Sequence, residues 1–172
     1  MGLTPDELLA RLKEAFGERI LDSHHHCGDV TVIIARDDAL EILRRLRDEP
    51  AFAFNFLMDV TAVDYLGQQP RFEVVYHLYS LTHNFRTRAK IRVPEADPWV
   101  HSLVPLWKAA NWLEREVWDM FGIRFLGHPD LRRILLYEEF VGHPLRKDYP
   151  VDKRQPLVPE RDPIETGWKF NA

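Results

Sequence analysis

Residues 85–93, Phe85-Arg-Thr-Arg-Ala-Lys-Ile-Arg-Val93, alternate between cations and small or apolar residues with a period of two. Successive side chains of a strand point to opposite faces. The stretch therefore reads as a half-buried β-strand, with one face in a core and a basic face outside. The preceding run, Arg71-Phe-Glu-Val-Val-Tyr-His-Leu-Tyr-Ser-Leu81, reads as a longer strand, and Thr82-His-Asn84 turns between the two. Arg86, Arg88, Lys90 and Arg92 share the outer face. Four like charges in a row read as a sheet edge kept soluble, and docking to an acidic partner is the second reading.

One side of such a sheet needs a cover, and the chain supplies amphipathic helices. Thr4 with Pro5 and Glu7 forms an N-cap, an N1 proline and a capping box, and Leu8, Leu9, Leu12 and Phe16 make the apolar stripe of a helix that Gly17 ends. Residues 19–26 and 30–35 read as two strands around Gly28-Asp29, the second rich in β-branched residues. Asp37 or Asp38 caps a second helix over 38–48, which Pro50 stops. The later half of residues 52–65 has strand character, with a turn over 67–70. Residues 99–106 read as a short helix leading into a third, longer one. The expected fold is an α+β two-layer domain over residues 1–150, helices on a mixed β-sheet. Residues 151–172 carry three prolines, balanced charge and no period, which reads as an extended C-terminal tail, with Trp168 and Phe170 as partner anchors.

The third helix, Asn111-Trp-Leu-Glu-Arg-Glu-Val-Trp-Asp-Met-Phe-Gly122, is read from a stripe of Leu106, Ala109, Ala110, Leu113, Val117 and Met120, and Gly122 sits where a left-handed helix end belongs. Arg115 and Asp119 are spaced as an i, i+4 charge pair on the far side. Trp112 and Trp118 lie off the stripe, so this helix is covered on more than one side, by its own domain or by a partner. A small pattern then occurs twice: Gly127-His-Pro-Asp-Leu-Arg-Arg and Gly142-His-Pro-Leu-Arg-Lys. Each fixes a turn and follows it with two cations, Arg132 with Arg133 and Arg146 with Lys147. Guanidinium forks suit carboxylate partners, and the repeat beside a Trp-bearing helix points to a docking surface.

Composition excludes several classes. Lys plus Arg total 23 against 27 Asp plus Glu, a formal net charge of −4, which argues against nucleic acid as a partner. No apolar run reaches the ~20 residues of a membrane span, and the N-terminus lacks the pattern of a secretory signal. The single cysteine, Cys27, leaves no internal disulfide, and no iron–sulfur cluster of the usual kind, which takes about four thiolates. His24-His-His-Cys27 invites a metal reading, but alternation in a strand leaves at most two of these side chains on one face, so solvated hairpin histidines are the reading adopted. No Gly-x-Ser-x-Gly elbow, phosphate loop or Gly-x-Gly-x-x-Gly occurs. Glu114 and Glu116, at i and i+2, do not face each other on a helix. His128 and His143 are the remaining acid–base candidates.

Glu114-Arg-Glu-Val-Trp-Asp-Met-Phe-Gly-Ile123, with His128, Arg132, Ile134 and Leu135, resembles the motif of the 30-kDa subunit family of respiratory complex I, the bacterial proton-translocating NADH:quinone oxidoreductase. Gly142-His-Pro-Leu-Arg-Lys-Asp-Tyr-Pro150 resembles that family's second hallmark. Phe54-Asn-Phe-Leu-Met-Asp-Val-Thr-Ala-Val-Asp-Tyr65 and Arg71-Phe-Glu-Val-Val-Tyr-His-Leu are similar to it upstream. The resemblance implies a subunit of the hydrophilic arm with no catalytic residue, metal or cofactor of its own. FMN, iron–sulfur clusters and quinone would lie elsewhere in the complex. It implies the 49-kDa-type subunit and the terminal-cluster subunit as partners, and a peripheral place on the cytoplasmic side of the cell inner membrane, reached only through the complex. The residues assigned to the subunit interface are Trp112, Glu114, Arg115, Glu116, Trp118 and Asp119 on the helix, His128, Arg132 and Arg133 in the first turn, and His143, Arg146, Lys147, Asp148 and Tyr149 in the second.

Three other readings compete. The equivalent subunit of a complex I-related membrane-bound nickel–iron hydrogenase shares the fold. A free-standing binding module using the arginine strand predicts a stable monomer that co-purifies with no iron. A lone enzyme predicts turnover by the isolated chain.

Overall fold

The computed structural model describes residues 4–158. Helix α1 (Pro5–Phe16) opens with the expected capping box, Thr4 and Glu7 each accepting from the other's backbone N–H. Strands β1 (Ile20–His26) and β2 (Asp29–Ile34) form a hairpin. Helix α2 (Ala39–Asp48) follows, and then a meander of β3 (Phe56–Asp64), β4 (Phe72–Ser80) and β5 (Phe85–Val93). These five strands form one mixed sheet in the order β1-β2-β5-β4-β3, in which only the β2–β5 pair is parallel.

The alternation decides which side is covered. Val74, Tyr76 and Leu78 of β4, Ala89, Ile91 and Val93 of β5 and Val30, Val32 and Ile34 of β2 join the buried faces of the helices in one core. From α2 come Ile42, Leu43 and Leu46, each close to fully buried, and each worth about 1.5–3 kcal/mol for its side chain. The helices lie on one face of the sheet, so the fold is the expected two-layer α+β domain.

Three expectations change. β5 is not an edge: it lies between β2 and β4. Its outer-face cations meet carboxylates from both neighbours, Arg86 and Arg88 on Asp29 of β2 and Lys90 on Glu73 of β4. Strand pairing that no local pattern reveals turned the expected basic edge into an interior column whose charge is partly offset, with Arg92 exposed beyond it, which also weakens the arginine-strand binding module. Second, residues 99–101 are not helical. They form β6 (Trp99–His101), paired in parallel with a short strand not foreseen, β7 (Arg124–Leu126). Helix α3 (Ala110–Phe121) begins only after the 102–109 link, so Leu106 and Ala109 lie outside it. Third, Asp38 stands at the N-cap of α2 without a side-chain cap bond.

Residues 127–158 contain no helix or strand. They run around α3 as a strap, held by side chains rather than by a ladder. Trp168 and Phe170, and most of the tail, lie outside the described residues.

Candidate functional site: the strap around the third helix

α3 is covered on two sides, and its own chain supplies both covers. Ala110, Val117, Met120 and Phe121 face the sheet core. Arg115, Trp118 and Asp119 face the strap.

The C-terminus of α3 explains the second Gly-His-Pro turn. Gly122 is left-handed, with φ 74° and ψ 21°, and its N–H closes on the Trp118 carbonyl. The next three carbonyls would be orphans. Each is taken by the strap: Asp119 O by His143 Nδ1 at 2.9 Å, Met120 O by the Leu145 N–H at 3.1 Å, and Phe121 O by Arg146 Nε. A carbonyl only accepts, so His143 carries its proton on Nδ1. The Arg146 cation also sits at the negative end of the helix dipole. A Cβ on Gly122 would lie 2.6 Å from the His143 ring and 2.7 Å from Arg146. Gly122 is thus required by its φ and again by the approach of the strap.

The first turn reaches the other end of α3, where it adds a bond to a carbonyl of the first helical turn rather than satisfying an orphan. His128 Nε2 bonds the Asn111 carbonyl at 3.1 Å, and its Nδ1 accepts the Asp130 N–H at 3.0 Å. The repeat is therefore a pair of histidine clips, one for each end of the helix.

Between the clips, Asp119 organises the strap. It is fully buried. One oxygen accepts the N–H groups of Ile134, Leu135 and Leu136 at 3.1, 3.0 and 2.9 Å, and the other pairs with Arg133. Burial pushes this carboxyl up, but the three amides and Arg133 outweigh it and hold it below the usual carboxylate value. Arg133 also donates to the carbonyls of Phe140 and Gly142. Arg115 makes no pair with Asp119; its guanidinium donates to the Arg132 and Arg133 carbonyls at 3.1 and 3.0 Å.

A buried ionic lock ties the strap to the sheet. Arg71, 1% exposed, grips Asp64 bidentately at 2.8 and 2.7 Å, and also bonds Asp148 of the strap and Glu95. The Lys147 N–H adds a bond to Asp64 at 2.8 Å. Hydrogen bonds from Arg71 hold both Asp64 and Asp148 below their ordinary range.

Glu114 differs from all of these. It is fully buried on the core side, with Oε2 accepting from Ser102 Oγ at 2.7 Å and Oε1 from the Leu103 N–H at 2.6 Å. Burial, partly offset by these two bonds, pushes its carboxyl up to about 7.

The residues assigned to the interface divide by exposure. Glu114 and Asp119 have no exposed surface, Arg115 is 9% exposed, and Arg133 bonds Asp119 and two carbonyls. These four hold the chain together through hydrogen bonds within it. Trp118, His128, His143, Arg146 and Tyr149 are half-buried beneath or within the strap. Trp112, Glu116, Arg132, Lys147 and Asp148 reach the surface, Arg132 in an exposed pair with Asp130 and Asp148 on Arg71. Sequence reasoning missed the Asp64–Arg71 lock. No local signal singled the pair out, because the runs 54–65 and 71–78 also carry Asp59 and Glu73. It also missed the strap's outer surface, where Leu135 is 62% exposed and Val141 and Leu145 are 53% exposed.

His24, His25 and His26 are exposed on β1, and Cys27 is an exposed free thiol in the turn that follows. Among the described residues no group of three or more His, Cys, Asp or Glu is arranged to hold a metal ion, and no helix is long and apolar enough to cross a membrane.

Residues 32–155, from within β2 through α3 and nearly all of the strap, match the family model for the respiratory-chain NADH dehydrogenase 30 Kd subunit. This chain belongs to that family. The C-type subunit of NADH-quinone oxidoreductase from Citrifermentans bemidjiense is 50% identical over 157 residues, covering 91% of this chain and 93% of the relative. The same subunit from Geobacter sulfurreducens is 49% identical, covering 90% and 92%. Among solved structures, the trypsin-resistant fragment of Nqo5 superposes with a TM-score of 0.64 at 37% identity, over 72% of this chain and 98% of the fragment. A protein of an archaeal membrane-bound sulfane sulfur reductase has the same fold, with a TM-score of 0.71 at 23% identity, covering 85% of each of the two.

Proposed function

We propose that this 30-kDa-family chain is a cofactor-free structural subunit of the hydrophilic arm of a proton-translocating NADH:quinone oxidoreductase. Electrons pass from NADH through FMN and iron–sulfur clusters in other subunits to quinone, and this chain braces the subunits that carry them. Its partners are the 49-kDa-type and terminal-cluster subunits. It sits peripherally on the cytoplasmic side of the inner membrane, without a span of its own, and the tail after residue 150 lies along a neighbour.

The observation that carries this reading is the division of labour across the strap. Its inward polar groups are consumed in holding α3, while its outward side bears Leu135, Val141 and Leu145, and Trp112 of α3 is itself 65% exposed. A strap so costly to order that leaves large apolar side chains in water is built to be covered. A Trp of this kind is the residue type that most often carries the binding energy of an interface.

The test is affinity purification of the native chain, with iron and flavin measured in what comes down. Co-purifying iron, flavin and NADH-dependent quinone reduction are expected. A chain recovered alone, or one that turns over substrate unaided, contradicts the reading. The nickel–iron hydrogenase alternative predicts nickel in place of flavin. The extent and identity of the match to the NADH-quinone oxidoreductase relatives favour the quinone enzyme.

A further inference from the structure

α3 meets the 102–104 link through a single polar contact, the Glu114 carboxyl. Ser102 Oγ and the Leu103 N–H converge on it, and Ser102 Oγ in turn accepts the Val104 N–H at 3.3 Å. No salt bridge reaches Glu114 among the described residues. Across from it on β4, the Tyr76 hydroxyl is fully buried and has no hydrogen-bond partner, and the two groups sense each other electrostatically.

Among the other charged or titratable groups on the elements around Glu114, Glu73 of β4 pairs with Lys90, His77 of β4 lies by Arg88 and Asp59 of β3, and both Asp59 and Glu116 of α3 are exposed. Asp64 at the end of β3 is held by Arg71, and Arg124 of β7 is on Asp97. His101 of β6 packs edge-on against Trp99. Arg115 and Asp119, on α3 itself, turn to the strap. Nothing in this set offsets a negative charge on Glu114.

We propose that Glu114 is a proton-operated anchor: the protonation state of its carboxyl sets how firmly α3 is held to the 102–104 link. In the neutral form one oxygen still accepts the Leu103 N–H, and the carboxyl O–H donates to Ser102 Oγ, whose own hydrogen is free to rotate away. All contacts survive and no charge is buried. In the ionised form both contacts are charge-assisted, but an uncompensated carboxylate sits in the core, where such a group is strongly disfavoured. The burial that lifts the carboxyl to about 7 places the change in the neutral range. The chain thus loosens at α3, the helix that carries the strap, as the pH rises from mildly acidic to about 7. This inference concerns the isolated full chain and stands whether or not the docking reading does.

The experiment is a carbon-13 NMR titration of the full chain labelled at glutamate carboxyls, with the Glu114 signal assigned by its loss in Glu114→Gln. Thermal unfolding of both proteins is recorded from about pH 5.5 to about pH 8.5. The Glu114 carboxyl should titrate near 7, and the wild-type midpoint should fall with rising pH more steeply than that of Glu114→Gln. Ser102→Ala, which removes a donor to the charged form, should move the titration higher still. A Glu114 signal that titrates with ordinary carboxyls near 4.5, or parallel unfolding curves for the two proteins, overturns the proposal. Should Glu114→Gln fail to fold, the Glu114 signal is assigned in Ser102→Ala as the one carboxyl whose titration moves, and that titration decides alone.

Discussion

Glu114 and Asp119 are two buried carboxyls on one helix, and they have opposite fates. Asp119 faces the strap, accepts three backbone amides and meets Arg133, and is held ionised. Glu114 faces the core, has two donors and no cation, and is lifted to about 7. Both side chains are fully buried. What separates them is the depth of burial, greater for Glu114, together with the number of donors and the sign of the nearest charge. On the core side of α3 apolar contact does the holding and the carboxyl adds one joint. On the strap side there is no ladder, and polar side chains hold the chain alongside the apolar contacts of Trp118, Leu131 and Leu136.

That contrast can be broken most violently at Asp119. Asp119→Ala leaves three amides without an acceptor and the Arg133 guanidinium without its counter-ion, and removing one partner of such a buried network costs about 3–5 kcal/mol. Chemical unfolding of the isolated chain should show that loss, and limited proteolysis should cut first within residues 127–150. Glu114→Gln keeps the shape of the core side and should leave the strap resistant. Gly122→Ala comes next: strain at positive φ costs about 1–3 kcal/mol, and the clash with His143 and Arg146 forces the clip off the helix end. Proteolysis near residue 143 measures it.

The two carboxyls should also separate by pH. The pKa of Asp119 is lowered from its unfolded value of 3.8, so its contribution is present above that value and lost as the pH falls through the lower folded one. The Glu114 pKa is raised from 4.5 to about 7, so its contribution is present in full below 4.5 and lost as the pH rises through about 7. Acid should therefore free the strap, seen as faster proteolysis of residues 127–150, and raising the pH from about 4.5 to about 7 should lower the unfolding midpoint without freeing it. The smallest effect on the chain itself is expected at Trp112. Trp112→Ala removes an exposed side chain and should change stability by no more than about 0.5 kcal/mol, while reducing recovery of the chain with its partners.

Elements whose pattern is local were legible in the sequence. The capping box at Thr4, the alternation of β5 and the left-handed Gly122 each announce themselves within a few residues. β6 and β7 were not legible, because each is three residues long and exists only by pairing with the other. The arginines of β5 were misplaced for a related reason: edge and interior differ by which strand arrives alongside. At the candidate site the motifs were found but their direction was inverted. Charged residues such as Asp119, Arg115 and Arg133 read as surface groups when the strap that buries them has no period to reveal it. The histidine clips and the Arg71 lock depend on contacts between residues far apart in the chain, which spacing does not encode.

The central claim is that the strap's inner side holds the chain and its outer side holds the partners. Leu135→Ser, Val141→Ser and Leu145→Ser combined in one chain address it directly, since all three side chains point to solvent. The measurement is iron and flavin recovered with the affinity-purified variant, beside its own unfolding midpoint. A fold as stable as wild type with iron and flavin largely lost is the predicted result. Full recovery of both with the variant would contradict the account.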